Sequence, residues 1–216
     1  MEKKFSVKKL VLLAMLAAMA FVTVSLIRIP VVLFLKYEPK DVVITIGGFL
    51  LGPMSAFIVS AVVSLLEMVT ISETGPIGCL MNLISTCAFS CTAAFVYKRK
   101  HTLGGAVAGL AIGGVFMVAV MLLWNWLITP LYMGVERSAV EEMLIPMFLP
   151  FNLLKAGLNS AIVLFLYKPL ATALRKTGLV EAGAGKSGGS KLGTYVLAAG
   201  LLITCIVLLL VLQGKL

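Results

Sequence analysis

All six apolar runs in this chain, at about 10–27, 42–66, 77–97, 104–131, 145–167 and 194–212, hold 18 or more residues, with Lys155 the one charged residue among them. A helix rises about 1.5 Å per residue, so each run of roughly 20 residues crosses the ~30 Å of hydrocarbon in a bilayer. In lipid every backbone polar group needs a partner within the segment, which makes the spans helical. With 61% of its 216 residues hydrophobic and 12% charged, the chain has more apolar side chain than a soluble domain of this size can bury. It is read as a multi-pass α-helical membrane protein, immersed in the lipid bilayer.

Charge sets the orientation. The net charge is +9, but the basic residues sit at helix ends instead of forming a stripe, which excludes nucleic acid as a partner. If residues 42–66 were a single span, Lys98-Arg99-Lys100 and the group Lys168, Arg175, Lys176 would face the side opposite Lys3, Lys4, Lys8 and Lys9, against the positive-inside rule. Gly52-Pro53 offers a break, with glycine closing one helix and proline opening the next. Splitting there gives a short helix at about 41–51 and a longer one at 53–71. Twelve basic residues then collect on the cytoplasmic side, counting Lys186 and Lys191, against five outside: Arg28, Lys36, Lys40, Arg137 and Lys215. The N-terminus is cytoplasmic in this arrangement. A helix of ten or eleven residues covers only about 16 Å, so the short one is expected to be tilted, sheltered by its neighbours, or begun inside the outer leaflet.

The expected organisation is a six-helix domain over 1–177, a glycine-rich linker over 178–193 (GLVEAGAGKSGGSKLG) and an additional transmembrane helix over 194–216. Residues 10–28 are read as the first span, because they outrun a signal-peptide core and lack a small-residue cleavage site. GAGKS is no phosphate loop: the first glycine of that motif would fall on Val180, and no strand precedes it. Cys79, Cys87, Cys91 and Cys205 lie in apolar runs without histidine or carboxylate partners, so they are read as small core residues and no metal site is expected.

Polar groups at membrane depth are costly and usually face a cavity or a partner. Lys155 lies on one helix face with Asn152 at i−3 and Asn159 at i+4. The alternative, that its ammonium snorkels to the headgroups, remains open. Asn125, Asn82 and Glu67 add polar groups to other spans. Each alone suits an interhelical hydrogen bond; converging, four amides would suit a planar heterocycle carrying both donors and acceptors. No carboxylate is expected beside Lys155 other than Glu67, the only candidate for a second titrating group. Without a carboxylate pair or a basic cluster, the set does not suit thiamine or a biotin-like ligand. The loop RIPVVLFLKYEPKD is apolar and β-leaning, and two readings stay open: Phe34 and Tyr37 pack at the interface, or the loop is a lid. Gly105, Gly109 and Gly113 form a close-packing face, as do Ala14, Ala17 and Ala18. His101 is expected to be solvated.

KYEPKDV, GGFLLGP, SETGPIGCLMN and the N-x-x-K of Asn152 to Lys155, in that order, resemble the riboflavin-specific S components of energy-coupling-factor (ECF) vitamin transporters over about residues 5–177. The resemblance implies a six-helix S-component fold and capture of riboflavin, or flavin mononucleotide, from outside a bacterial cell. It implies no catalytic residue and no cofactor, with riboflavin as the transported ligand. It implies a gate in the first loop (Leu35, Lys36, Tyr37), and docking of the Ala14 and Ala18 face on a transmembrane coupling subunit driven by two cytoplasmic ATPases. Asn125, Asn152 and Lys155 would hydrogen-bond the flavin by this resemblance. Glu38, Glu67, Asn82 and Asn159 join the expected set on the geometry of the sequence. The seventh helix departs from the family pattern, and no substrate contact is expected from it.

Overall fold

The computed structural model describes residues 7–33, 35–72, 74–176 and 191–215. Helix α1 (Val7–Leu26) leads into a hairpin of β1 (Ile29–Val32) and β2 (Leu35–Tyr37). Then come α2 (Lys40–Leu51) and α3 (Pro53–Thr70). Helix α4 (Gly75–Arg99) contains a π turn at Cys87–Cys91. Helix α5 is Leu103–Met133. Helix α6 begins at Arg137, passes a π turn at Leu144–Phe148 and continues as Leu149–Lys176. Helix α7 is Lys191–Leu212. The expected linker falls largely on residues outside those described, and so does Phe34.

Six of these helices, all but α2, are long and apolar enough to cross a membrane. Their outward faces carry large apolar side chains, among them Val69, Val115 and Leu131, each more than 70% exposed, a surface that requires lipid rather than water.

The break at Gly52-Pro53 is where the sequence places it. Gly52 takes φ +94°, a conformation that favours glycine, its N–H bonds back to Gly48 O at 2.9 Å, and Pro53 opens α3. The twelve-residue α2 is sheltered by its neighbours, with buried residues around most of its circumference. Close approach makes this possible: a methyl on Gly48 would lie 2.9 Å from Ala94 Cβ and 3.0 Å from Ala56 Cβ. The same device joins α4 to α5, because methyls on Gly109 and Gly113 would stand 2.7 Å and 2.6 Å from the backbone oxygens of Ala93 and Phe89. These glycines therefore pack within the chain.

The second π turn contains Pro146 and is followed by Pro150, residues that cannot supply the regular i→i−4 hydrogen bond. Below it, α6 resumes and carries Asn152, Lys155 and Asn159 into the bundle. Around α2, Phe49, Phe89, Tyr97, Leu110 and Met117 belong to one buried cluster, while Leu16, Ala20, Ile44 and Val63 form another where α1 and α3 close on it.

Candidate functional site: a cavity at one end of the bundle

The hairpin, the ends of α1, α3 and α5, and the upper turns of α4 and α6 enclose a cavity of about 460 Å3, within the range of small-molecule sites. Its apolar wall includes Leu35, Ile71, Met81, Met121, Met133 and Phe151, and its polar groups include Arg28, Glu38, Glu67, Asn82, Ser85, Asn125, Asn152 and Lys155. A groove of similar size, about 490 Å3, lies at the opposite end between α4 and α5, but it is almost wholly apolar apart from Arg99, Lys100 and Thr102. Only the first cavity brings polar groups from several helices together, so it is the candidate site.

Lys155 does not snorkel. Its ammonium lies 3.2 Å from Asp41 Oδ2 and donates to Ser85 Oγ at 3.3 Å, on the cavity wall. Asp41 is fully buried and accepts from Thr86 Oγ1 at 2.6 Å and from Asn159 Nδ2 at 3.3 Å. The expectation that no carboxylate other than Glu67 stands near Lys155 is therefore corrected: α2 supplies one from its first turn. Lys40, counted with the basic residues of the outer side, stands at the cavity end but is buried. It is 1% exposed, donates to Glu67 Oε1 at 2.6 Å and lies 3.2 Å from Glu38 Oε2. Removing one partner of such a buried pair costs about 3–5 kcal/mol.

Glu38 and Glu67 both reach the cavity wall, so the expectation that the pocket lacks a carboxylate pair does not hold. Each is already held by cations or amides. Arg28 Nε lies 3.2 Å from Glu38 Oε1, and Asn82 Nδ2 donates to Glu67 Oε2 at 2.7 Å. Asn82 thus lines the cavity with one N–H committed to a carboxylate.

Asn125 and Asn152 face the cavity in a common way. Each donates one N–H to its own helix, Asn125 to Met121 O at 2.7 Å and Asn152 to Phe148 O at 2.8 Å. The Asn125 carbonyl also accepts from Thr129 at 3.0 Å. These bonds fix the amide planes, and each side chain keeps an N–H and acceptor capacity for a ligand.

Two residues of the expected set stand elsewhere. Asn159, on the next turn of α6, is fully buried and is not part of the cavity wall; it ties Asp41 to the Tyr37 hydroxyl, which donates to Asn159 Oδ1 at 2.9 Å. Leu35 and Lys36 line the cavity, whereas Tyr37 turns inward among Phe151, Leu154 and Leu158. Burial raises the Tyr37 phenol pKa above its ordinary value, and the charge on Asp41 adds to the effect, so the hydroxyl stays a donor. Ala14 and Ala18 are exposed on the outer face of α1, away from the cavity, with Ala17 buried between them.

The residues that sequence reasoning missed are Asp41, Lys40 and Arg28. The available signal was a Lys-Asp pair opening a helix too short and too enclosed to keep either side chain in water.

Residues 8–167 match the family described as ECF transporter, substrate-specific component. The chain is similar to the Riboflavin transporter RibU of Staphylococcus aureus (strain TCH60), 29% identical over 178 residues that cover 78% of this chain and 93% of that protein. It is likewise similar to the Riboflavin transporter FmnP of Bacillus subtilis (strain 168), 29% identical over 161 residues covering 69% and 84%. Among solved structures, one described as the S component of a bacterial ECF transporter superposes with a TM-score of 0.66 at 29% identity, covering 78% of this chain and 98% of the other.

Proposed function

Because the chain belongs to the family of ECF transporter substrate-specific components, we propose that it captures riboflavin in this cavity from outside a bacterial cell and presents it for uptake. The single observation that carries the reading is the convergence of Asn125, Asn152 and Lys155, from two different helices, on one cavity with methionine and aromatic walls. The two relatives named as riboflavin transporters support the choice of ligand.

Binding is non-covalent in this reading and needs no cofactor. Burying the tricyclic isoalloxazine ring against Met81, Met121 and Phe151 supplies the affinity, while the amides fix its orientation. The polar edge of the ring carries carbonyl acceptors and an imide N–H. Lys155 suits a carbonyl, and the Asn152 amide suits an adjacent donor and acceptor. With Asp41, Glu38 and Glu67 already paired, the wall offers hydrogen bonds more than net charge, which fits a neutral ligand. The positive-inside rule puts the cavity end outside and the N-terminus in the cytoplasm. The exposed Ala14 and Ala18 face is the proposed docking surface for a membrane coupling subunit, with ATP hydrolysis left to two cytoplasmic partners.

A second reading rests on Glu38 and Glu67: a cationic vitamin such as thiamine would exploit carboxylates at the wall. Their existing pairs with Arg28 and Lys40 oppose it. Titration decides between the two. The purified protein quenches riboflavin fluorescence near one equivalent, thiamine does not compete, and Lys155→Ala or Asn125→Ala weakens quenching at least about tenfold, the loss of one charged or buried hydrogen bond. Absence of quenching overturns the riboflavin reading; unchanged curves for the variants remove those side chains from the site.

A further inference from the structure

The family match ends at residue 167, yet α7 lies along α6 and reaches the hairpin over the cavity. Three contacts hold it there. A methyl on Gly157 of α6 would lie 2.5 Å from Cys205 Sγ and 3.9 Å from Leu201 Cδ1, with nothing else within 4 Å, so glycine lets the two helices close. Cys205, Leu201 and Leu208 of α7 share an apolar cluster with Val31 and Tyr37 of the hairpin and Leu154 of α6. At the far end of α7, Gln213 Nε2 donates to Pro30 O at 2.8 Å. Pro30 pairs with Lys36 in the hairpin register, and Lys36 and Leu35 line the cavity.

A two-stranded hairpin has little stability of its own, so its position depends on what it packs against. We propose that α7 is a positioning element for this gate, holding the hairpin down over the cavity and slowing escape of the bound ligand. The consequence for ligand escape rests on the riboflavin reading; the consequence for the hairpin does not.

The test uses the full-length protein. Gly157→Ala improves the intrinsic helix propensity of α6, so its added methyl acts on the α7 contact. Amide hydrogen exchange over residues 29–37, measured without ligand, should accelerate at least about threefold, and riboflavin dissociation should quicken in parallel. Adding Cys205→Ala, which removes the opposing sulfur, should restore both rates. Gln213→Ala should accelerate hairpin exchange by about two- to tenfold, the loss of one ordinary hydrogen bond. Unchanged hairpin exchange in both single variants overturns the proposal, as does an acceleration in Gly157→Ala that Cys205→Ala fails to reverse. If the parent protein binds no riboflavin, the functional reading falls while the exchange rates still decide the role of α7.

Discussion

Replacing Asp41 by asparagine separates the structural from the binding role of Lys155. The substitution keeps the shape but removes the charge facing Lys155. If the new amide keeps its oxygen on Thr86, its NH2 group points at Lys155 Nζ and Asn159 Nδ2, setting donor against donor. Asn159 is not free to flip, since its carbonyl accepts from Tyr37. Removing one partner of a buried pair costs about 3–5 kcal/mol. The lower end applies because the Lys155 side chain retains 11% exposure, which lets the ammonium draw on cavity water. At about 2–4 °C per kcal/mol for a chain of this size, the melting temperature should fall by roughly 6–12 °C. The double variant Asp41→Asn/Lys155→Met removes both charges and should recover most of that loss, because a buried pair replaced by neutral groups is often no less stable. Riboflavin affinity should not recover. Heat unfolding in detergent followed by fluorescence titration reads both. If Asp41→Asn melts with the parent, or the double variant melts below Asp41→Asn, the pair does not hold these helices together as described.

Three further outcomes follow from other contacts. Tyr37→Phe leaves the fully buried Asn159 carbonyl without its hydroxyl donor and should cost about 1–3 kcal/mol in thermal unfolding; because burial raises the phenol pKa, the hydroxyl stays protonated and the loss should be the same at pH 6 and pH 9. Gly109→Val drives side chain into the Ala93 carbonyl across α4 and α5 and should destabilise by about 1–3 kcal/mol, whereas the same change at the uncrowded Gly200 should show only its helix-propensity effect. Bulky substitutions at the exposed Ala14 and Ala18 should abolish cellular riboflavin uptake while the purified protein still binds; loss of both would point to misfolding.

Much of the scaffold was legible because it follows from local rules. Hydrophobic run length located the spans, and glycine followed by proline located the break between α2 and α3. The fourfold spacing of Gly105, Gly109 and Gly113 marked a helix contact, though not its partner. The polar set was legible in part: Asn125, Asn152, Lys155, Asn82, Glu38 and Glu67 do meet at one cavity. What sequence could not give was which charges neutralise each other. Asp41 and Lys155 lie far apart in the chain and on different helices, and only the folded bundle places α2 against α6. The partners of Lys40 were hidden for the same reason. Counting it among the basic residues of the outer side says nothing of the carboxylate at the end of α3 that meets it. Asn159 was assigned to the cavity from its helical phase, which fixes direction around the axis but not depth; one turn further along α6 it reaches Asp41 and Tyr37 instead.

The most direct test of the central claim is a structure determined with riboflavin bound. The account predicts the isoalloxazine ring in the cavity beneath the hairpin, its polar edge within hydrogen-bond distance of Asn125, Asn152 and Lys155. A flavin seated instead in the groove between α4 and α5, or one that leaves those three side chains untouched, would contradict it.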